Sequence, residues 1–414
     1  KKSTNMVFSL LFESINMQIV YTNEEMPESF TKSLFLAGCS KRPGQDIVSW
    51  RKEALKFLED NNYDGIVFVP EFRNPEFENQ TFDADKVIEW EEKHLDVADC
   101  ILFWIPRSEE LPGFNSNVEF GKYYQSGKVI LGFPEGAMKM KYLETHAIKN
   151  NVSVCSSLPE TIQTALSYIG EGAGRKDGER YIPLMIWNTD AFQNWYTTHQ
   201  GAGNELRDAK CLWSFRPGNK KFVFLWVLKV SVFVKEENRI KSNEFVLART
   251  SISSVCLIKR NEDPYKSQVA LVKEFRSPSM TVDGFIRELP AGSVNSKSSA
   301  KDNAVREVHE ETGLYINQDN LVNVKKAQLC GTLSAHTSDL YVYDLNDEEF
   351  EYLKSQNGVR HGLIEDSEIT YIEIYSVNDI LKSSVDVDWS TIGQILFTVF
   401  HNPNDIVNTA NSFS

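Results

Sequence analysis

The sequence predicts an α/β protein in two parts, a doubly wound parallel sheet followed by a strand-rich domain. Three observations carry this. Short apolar runs alternate with amphipathic stretches from Ser33 to about residue 134. The aperiodic, Gly-rich and charged segment EGAGRKDGER, residues 171–180, reads as a linker. Beyond it the texture turns to strands, with FVFLWVLKVSVFV, SSVCLIK, VALVKEF, LYVYDL and TYIEIY and few helices between them. At 414 residues the chain is long for one core. The expected division is an N-terminal extension over 1–30, a first domain over 31–170, the linker, and a second domain over 181–405.

The elements of the first domain follow in order. SLFLAGC is a buried strand ending near Gly38, and KRPGQD is a polar loop. IVSWRKEALKFLEDNN then has apolar residues three and four apart, the helical period. GIVFVPEF, DCILFWIP and KVILGFP are further strands, separated by helices around DADKVIEWEEKHLDVA and NVEFGKYYQSG. Strands alternating with helices imply a parallel sheet, whose ligands sit beyond the carboxyl ends of the strands. Residues 1–30 give only weak signals.

Composition narrows the partners. With 41% hydrophobic and 25% charged residues the chain is an ordinary globular protein, and its net charge of -14 argues against nucleic acid or an anionic membrane as partner. A phosphate-bearing ligand would then need a metal, an arginine or a helix N-terminus. The six cysteines are scattered without a CxxC pair, as free thiols in a reducing compartment would be. No apolar run reaches the length of a membrane span and the first residues lack a signal-peptide pattern, so a soluble cytoplasmic protein is expected.

In the second domain, REVHEETGL places Glu307, Glu310 and Glu311 at i, i+3 and i+4, on one helix face. Alone, this fits a solvated surface helix. As a site, an oxygen-only acidic cluster suits Mg²⁺ or Mn²⁺. Gly292 lies 14 residues before Arg306, and Gly313 with Leu314 closes the helix. Over its whole length this spacing resembles the Nudix box. The resemblance implies an α/β/α sandwich with a mixed sheet, and a loop–helix–loop that holds divalent metals over a nucleoside diphosphate. Glu307 and Glu311 would be metal ligands, with Glu310 beside them and the Ala291 carbonyl a further ligand. One position departs: Ser298 stands where the family has a glutamate that braces the loop against the box arginine.

The flanks of the box narrow the substrate. VALVKEFRSPSMTVDGFIRELPAGS resembles the approach to the box in ADP-ribose and nucleotide-sugar hydrolases, which makes Arg276 and Glu288 substrate- or metal-shell residues. SAHTSDLYVYDL is similar to the Ser-Pro-Gly-x-Thr-Ser-Glu stretch of those enzymes, with Pro absent and Asp339 for Glu, and assigns Thr337 and Ser338 to substrate. KVSVFVKEENRIKSNEFVLAR resembles the N-terminal strands through which those enzymes dimerise and hold adenine, implying a homodimer; an ordinary sheet extension is the other reading. HGLIEDSEIT supplies the loop acids Glu365 and Glu368, candidates for the general base, with Glu365 preferred. The metals would neutralise the diphosphate and activate water for in-line attack.

In the first domain, Glu119 is expected in the first turn of a helix beginning near Val118, where the helix dipole would keep it ionised. Any helix could carry such a glutamate. Val-Glu-Phe-Gly, a helix, Ser-Gly-Lys and an apolar strand together resemble the nucleoside 2-deoxyribosyltransferase family, which has a flavodoxin-like sheet. LFLAGCSKR resembles its first strand and ligand loop, with Gly38 against the ligand. The resemblance makes Glu119 the nucleophile at an anomeric carbon and Glu91 the assisting acid, where the better-known enzymes have Asp. Trp90 and Trp104 could stack on a base, though packing suffices to explain them. Water as acceptor would give an N-glycosidase, and a second base a transferase.

Together the two resemblances imply sequential action on one metabolite. An N-glycosidic bond of a nucleoside or nucleotide would be cleaved, then the diphosphate of an ADP-ribose-like product. The alternative is a nucleotide-binding sensor or a structural component of an assembly, with one or both sites inactive; Ser298, the altered HTSD stretch and Glu91 lean that way.

Overall fold

The computed structural model describes residues 17–41, 45–74, 83–217, 222–294, 298–363, 368–382 and 385–401. The chain divides into two compact units, 1–246 and 247–414. Among the described residues no helix is long and apolar enough to cross a membrane.

The first unit is built on six parallel strands: β1 (Gln18–Tyr21), β2 (Ser33–Gly38), β3 (Ile66–Val69), β4 (Cys100–Trp104), β5 (Val129–Gly132) and β6 (Ser153–Cys155). Their order is β1-β3-β2-β4-β5-β6. The residues of β2 to β5 are buried on both faces, which is why they read as continuous apolar runs rather than alternating ones. Helices α1 (Trp50–Asp60) and α5 (Leu158–Ile169) cover one face through Ala54, Leu58, Ile162 and Ala165. Helices α2 (Ala84–Val97), α3 (Phe114–Tyr123) and α4 (Lys141–Lys149) cover the other through Leu95, Phe120 and Leu143. The doubly wound expectation holds. Strand order reverses between β2 and β4, so a crevice opens beyond Gly38 and Trp104, which are register partners.

Three expectations about organisation need correction. Residues 18–21 lie within the expected N-terminal extension, yet they pair in parallel with β3 and form the sheet edge. The segment 171–180 is no linker. Arg175 and Lys176 pair with Phe30 and Ser29, and the Arg175 guanidinium meets the Asp99 carboxylate at 2.8 and 2.5 Å with both side chains fully buried. Asp99 also accepts from the Ser33 and Leu184 backbone N–H groups at 2.9 and 3.1 Å. A Gly-rich composition hid a buried ion pair. The second unit does not begin at the expected residue 181: the first continues through α6 (Asp190–Gly201) and an antiparallel sheet of β7 (Glu205–Phe215), β8 (Leu225–Val234) and β9 (Arg239–Arg249), of which the last residues, from Leu247, belong to the second unit. Trp226 of β8 is buried edge-on against Phe192 of α6, which ties that sheet to this unit.

The second unit is an α/β/α sandwich around a mixed sheet. Strands β10 (Ile252–Lys259), β11 (Gln268–Phe275), β12 (Phe285–Glu288), β13 (Ala291–Ser293), β14 (Val322–Gln328), β15 (Thr337–Asp344), β16 (Arg360–His361) and β17 (Thr370–Ser376) make it up. The order is β14-β15-β10-β11-β17-β16, with β12 on β11 and β13 on β10. β10 runs parallel to β15 and antiparallel to β11. The period of two sorts β10: Val255 and Leu257 face α7 (Ala300–Thr312) through Ala304 and Val308, whereas Cys256 and Ile258 face the helix Trp389–Phe400 through Ile395.

Candidate functional sites

In the second unit the site grows from α7 and the loop before it. Ser299 caps the helix by accepting from the Asp302 N–H in a capping box, and Gly313, at φ 70°, ends it in the left-handed conformation. Between these ends Glu307 and Glu311 turn inward and are almost completely buried, while Glu310 stays partly exposed. Glu311 Oε2 accepts from the Ala291 N–H at 3.1 Å, and Asn303 Nδ2 donates to the Gly292 carbonyl at 3.1 Å, fastening the loop to the helix. A Cβ on Gly292 would lie 2.0 Å from the Glu307 carboxyl, so only glycine leaves room for that side chain against the loop. The spacing from Gly292 to the box thus has a steric cause.

More carboxyls converge from β11, β12 and the loop before β17. A cavity of about 940 Å³ is lined by Glu288, Glu307, Glu310 and Glu368, with Arg249, Arg276 and Arg306 among them. Arg276 bridges Glu274 and Glu288 at 2.9 Å each. Crowding shows in the acidities. Burial, with Glu310 and Glu368 nearby, pushes Glu307 up to about 7 against the opposing pull of Arg306. Burial followed by Glu307 and Glu368 raises Glu311 well above the carboxylate range. Glu274 is likewise pushed up to about 7, by burial and then by Glu368 and Glu288, against Arg276.

This donor set fits a hard divalent cation: all oxygen, several carboxyls, and a glycine cradle that keeps Glu307 against the loop. Among the described residues, though, no three acidic or histidine groups are already gathered as a coordination shell. Arg306 stands among them instead, donating to Glu307 and Glu310 at 2.5 Å each and to Asn303 Oδ1 at 2.7 Å.

The expected residues fall unevenly around this cavity. Ala291, Glu288, Arg276, Glu307, Glu310 and Glu368 line it. Glu311 sits behind the loop, bonded to Ala291. Thr337 and Ser338 do not line it: Thr337 pairs with Ser251 at 3.1 Å, and Ser338 is buried against Ser254 at 2.8 Å. Glu365 lies outside the described residues. Sequence reasoning missed Glu274, Arg249 and Gln394. Glu274 left a signal, because it continues the inward phase of Ala270 and Val272 along β11 as a charge where an apolar residue is due.

In the first unit, a cavity of about 330 Å³ opens at the strand-order reversal, lined by Gly38, Ser40, Arg51, Glu71, Glu91 and Glu119, among others. Gly38, at φ 138°, lies so close to β4 that a Cβ would meet the Trp104 carbonyl at 2.0 Å. Arg51, fully buried, donates to the carbonyls of Leu36 and Gly38 at 2.9 and 3.2 Å, to Ser40 Oγ at 3.0 Å and to Glu71 at 2.8 Å. It fixes the end of β2. Trp90 donates to the Glu24 carbonyl at 3.1 Å and packs near Phe35, and Trp104 is buried in the core, so both tryptophans pack.

The expectation for Glu119 needs correction. Helix α3 begins at Phe114, with Gly113 as its N-cap, so Glu119 is in the second turn, beyond the reach of the dipole. Rather than being held ionised, it is pushed up to about 7 by burial and by Glu91, against Arg51. Burial also raises Glu91, again opposed by Arg51. Two carboxyls facing one small cavity, each resisting charge, can hold one proton between them and pass it on.

Two family models match the chain. One, described as nucleoside 2-deoxyribosyltransferase like, covers residues 31–137. The other, described as NUDIX domain, covers residues 250–392. A comparison with curated proteins found no match.

Proposed function

We propose that this chain, in which a nucleoside 2-deoxyribosyltransferase-like domain precedes a NUDIX domain, is a Mg²⁺-dependent hydrolase of an ADP-ribose-like nucleoside diphosphate, coupled to an N-glycosidic cleaving domain. The observation that carries the reading is the second unit's cavity, where Glu288, Glu307, Glu310 and Glu368 meet Arg249 and Arg276. A carboxylate wall beside two guanidiniums suits a diphosphate that arrives with a divalent cation. Mg²⁺ bound there would neutralise phosphate charge and acidify a bound water. Arg276 and Arg249 then hold phosphate oxygens, and Glu368 takes the proton of the water whose oxygen attacks phosphorus as the P–O–P bridge opens. The products are a nucleoside monophosphate and a sugar phosphate. Incubation with Mg²⁺ and ADP-ribose, followed by chromatography, tests this: no AMP would refute it.

In the first unit, ionised Glu119 attacks the anomeric carbon, the C–N bond breaks, and the departing base takes a proton from Glu91. Water, giving a proton back to Glu91, then releases the sugar from Glu119. Base release that persists in Glu119→Gln would refute this step. The pairing of Glu307 and Glu310 with Arg306 favours a second reading, a nucleotide sensor whose NUDIX site does not turn over. Calorimetry would select it by tight ADP-ribose binding without product.

A further inference from the structure

We infer that Arg306 is the internal counter-cation of the NUDIX carboxylates, and that a divalent cation must displace it to bind. The inference rests on the metal-dependent reading above. Its ground is the set of contacts that Arg306 makes. One guanidinium reaches Glu307 and Glu310 at 2.5 Å each and the Asn303 side-chain oxygen Oδ1 at 2.7 Å. Asn303 is completely buried, and its amide nitrogen donates to Gly292, so the guanidinium is anchored to the loop that cradles Glu307. The carboxyls it neutralises are those a cation would need, and Arg306 also lines the cavity.

A charge-assisted fork on two carboxylates is a defined contact, whereas a lone surface arginine would be mobile. Yet the Arg306 side chain remains 43% exposed, so the fork can open toward solvent without unfolding the helix. Cation and guanidinium therefore compete for the same oxygens. A guanidinium released from Glu307 and Glu310 is left facing the cavity, where an anionic ligand would meet it. Cation entry thereby turns an acidic wall into a partly basic one.

The test is Mn²⁺ binding to the full chain at pH 8 without nucleotide, followed by electron paramagnetic resonance, for the wild type, Arg306→Gln and Arg306→Lys. Removing the competitor is expected to tighten Mn²⁺ about fivefold, the scale of two half-exposed ion pairs. Arg306→Lys, which keeps a cation, should stay near the wild type. Thermal unfolding gives a second readout: Arg306→Gln should be less stable than wild type in EDTA, with the gap closing in saturating Mn²⁺. An arginine that only braces the fold would give the opposite, weaker Mn²⁺ binding in Arg306→Gln, and that result, or an unchanged affinity, overturns the inference. If no form binds Mn²⁺, the metal-dependent reading falls and the inference with it.

Discussion

Replacing Glu307 by Gln should make the metal-free protein more stable at pH 8 while abolishing its response to Mg²⁺. Glu307 has a nearly buried side chain, and its acidity is moved from about 4.5 up to about 7, chiefly by burial. The folded state thus holds this proton more tightly than the unfolded chain does. The resulting stability is present below about pH 4.5 and is lost as pH rises through about 7. Above that range, ionised Glu307 costs the fold roughly 3 kcal/mol. Gln keeps the shape without the charge, and the pull of Arg306 is already contained in that figure. The net expectation is a gain of about 3 kcal/mol for Glu307→Gln in EDTA at pH 8, shrinking to about 1 kcal/mol near pH 5. Wild type should recover about 2.7 kcal/mol in Mg²⁺ at a hundred times its dissociation constant, and the variant much less. Urea denaturation at the two pH values, with and without Mg²⁺, measures all of this. A variant less stable than wild type in EDTA at pH 8, or equal Mg²⁺ stabilisation of both, would refute the reasoning.

Other perturbations have definite outcomes. Gly292→Ala drives a Cβ to 2.0 Å from the Glu307 carboxyl, the free end of a flexible side chain. It should therefore cost only about 1 kcal/mol in denaturation while calorimetry records at least about a tenfold loss of Mg²⁺ affinity, roughly 1.4 kcal/mol. Arg175→Met strands the Asp99 carboxylate at a fully buried position, so chemical denaturation should show a loss of about 3–5 kcal/mol. Base release by the first unit should have a basic limb in its pH profile centred near 7, where the Glu91–Glu119 pair loses the proton that the departing base takes. A midpoint near 4.5 would mean that an unperturbed carboxyl governs the step.

Much of this architecture was legible because it rests on periodicity. The strands of the first sheet are buried on both faces and so announce themselves as apolar runs, and α7 ends at the glycine, Gly313, that the sequence marks as its close. Legibility failed where long-range contacts override local character. Arg175 sits in a Gly-rich, charged stretch, and only its distance from Asp99, 76 residues away, makes it core. Strand β1 depends on β3, about 48 residues later, and has no helix of its own to announce it. For Glu119 the error was one turn of helix: α3 starts four residues before Val118, which exchanges dipole stabilisation for burial and reverses the direction of the acidity shift. The box residues were readable through their resemblance to a family's spacing, and in the fold Gly292, Glu307 and Glu311 interlock by contact. Glu274 and Arg249 join the site only through the folding of β11 and the end of β9 against it, and no short motif encodes that.

The most direct measurement is an anomalous difference map from crystals of the full chain grown in Mn²⁺. The expected result is a peak in the second unit's cavity, contacted by Glu307 together with Glu310 or Glu311 beside the 291–292 loop, with Arg306 released from Glu307 and Glu310. A map with no peak at saturating Mn²⁺, or with its peak away from these carboxyls, would contradict the metal-dependent hydrolase.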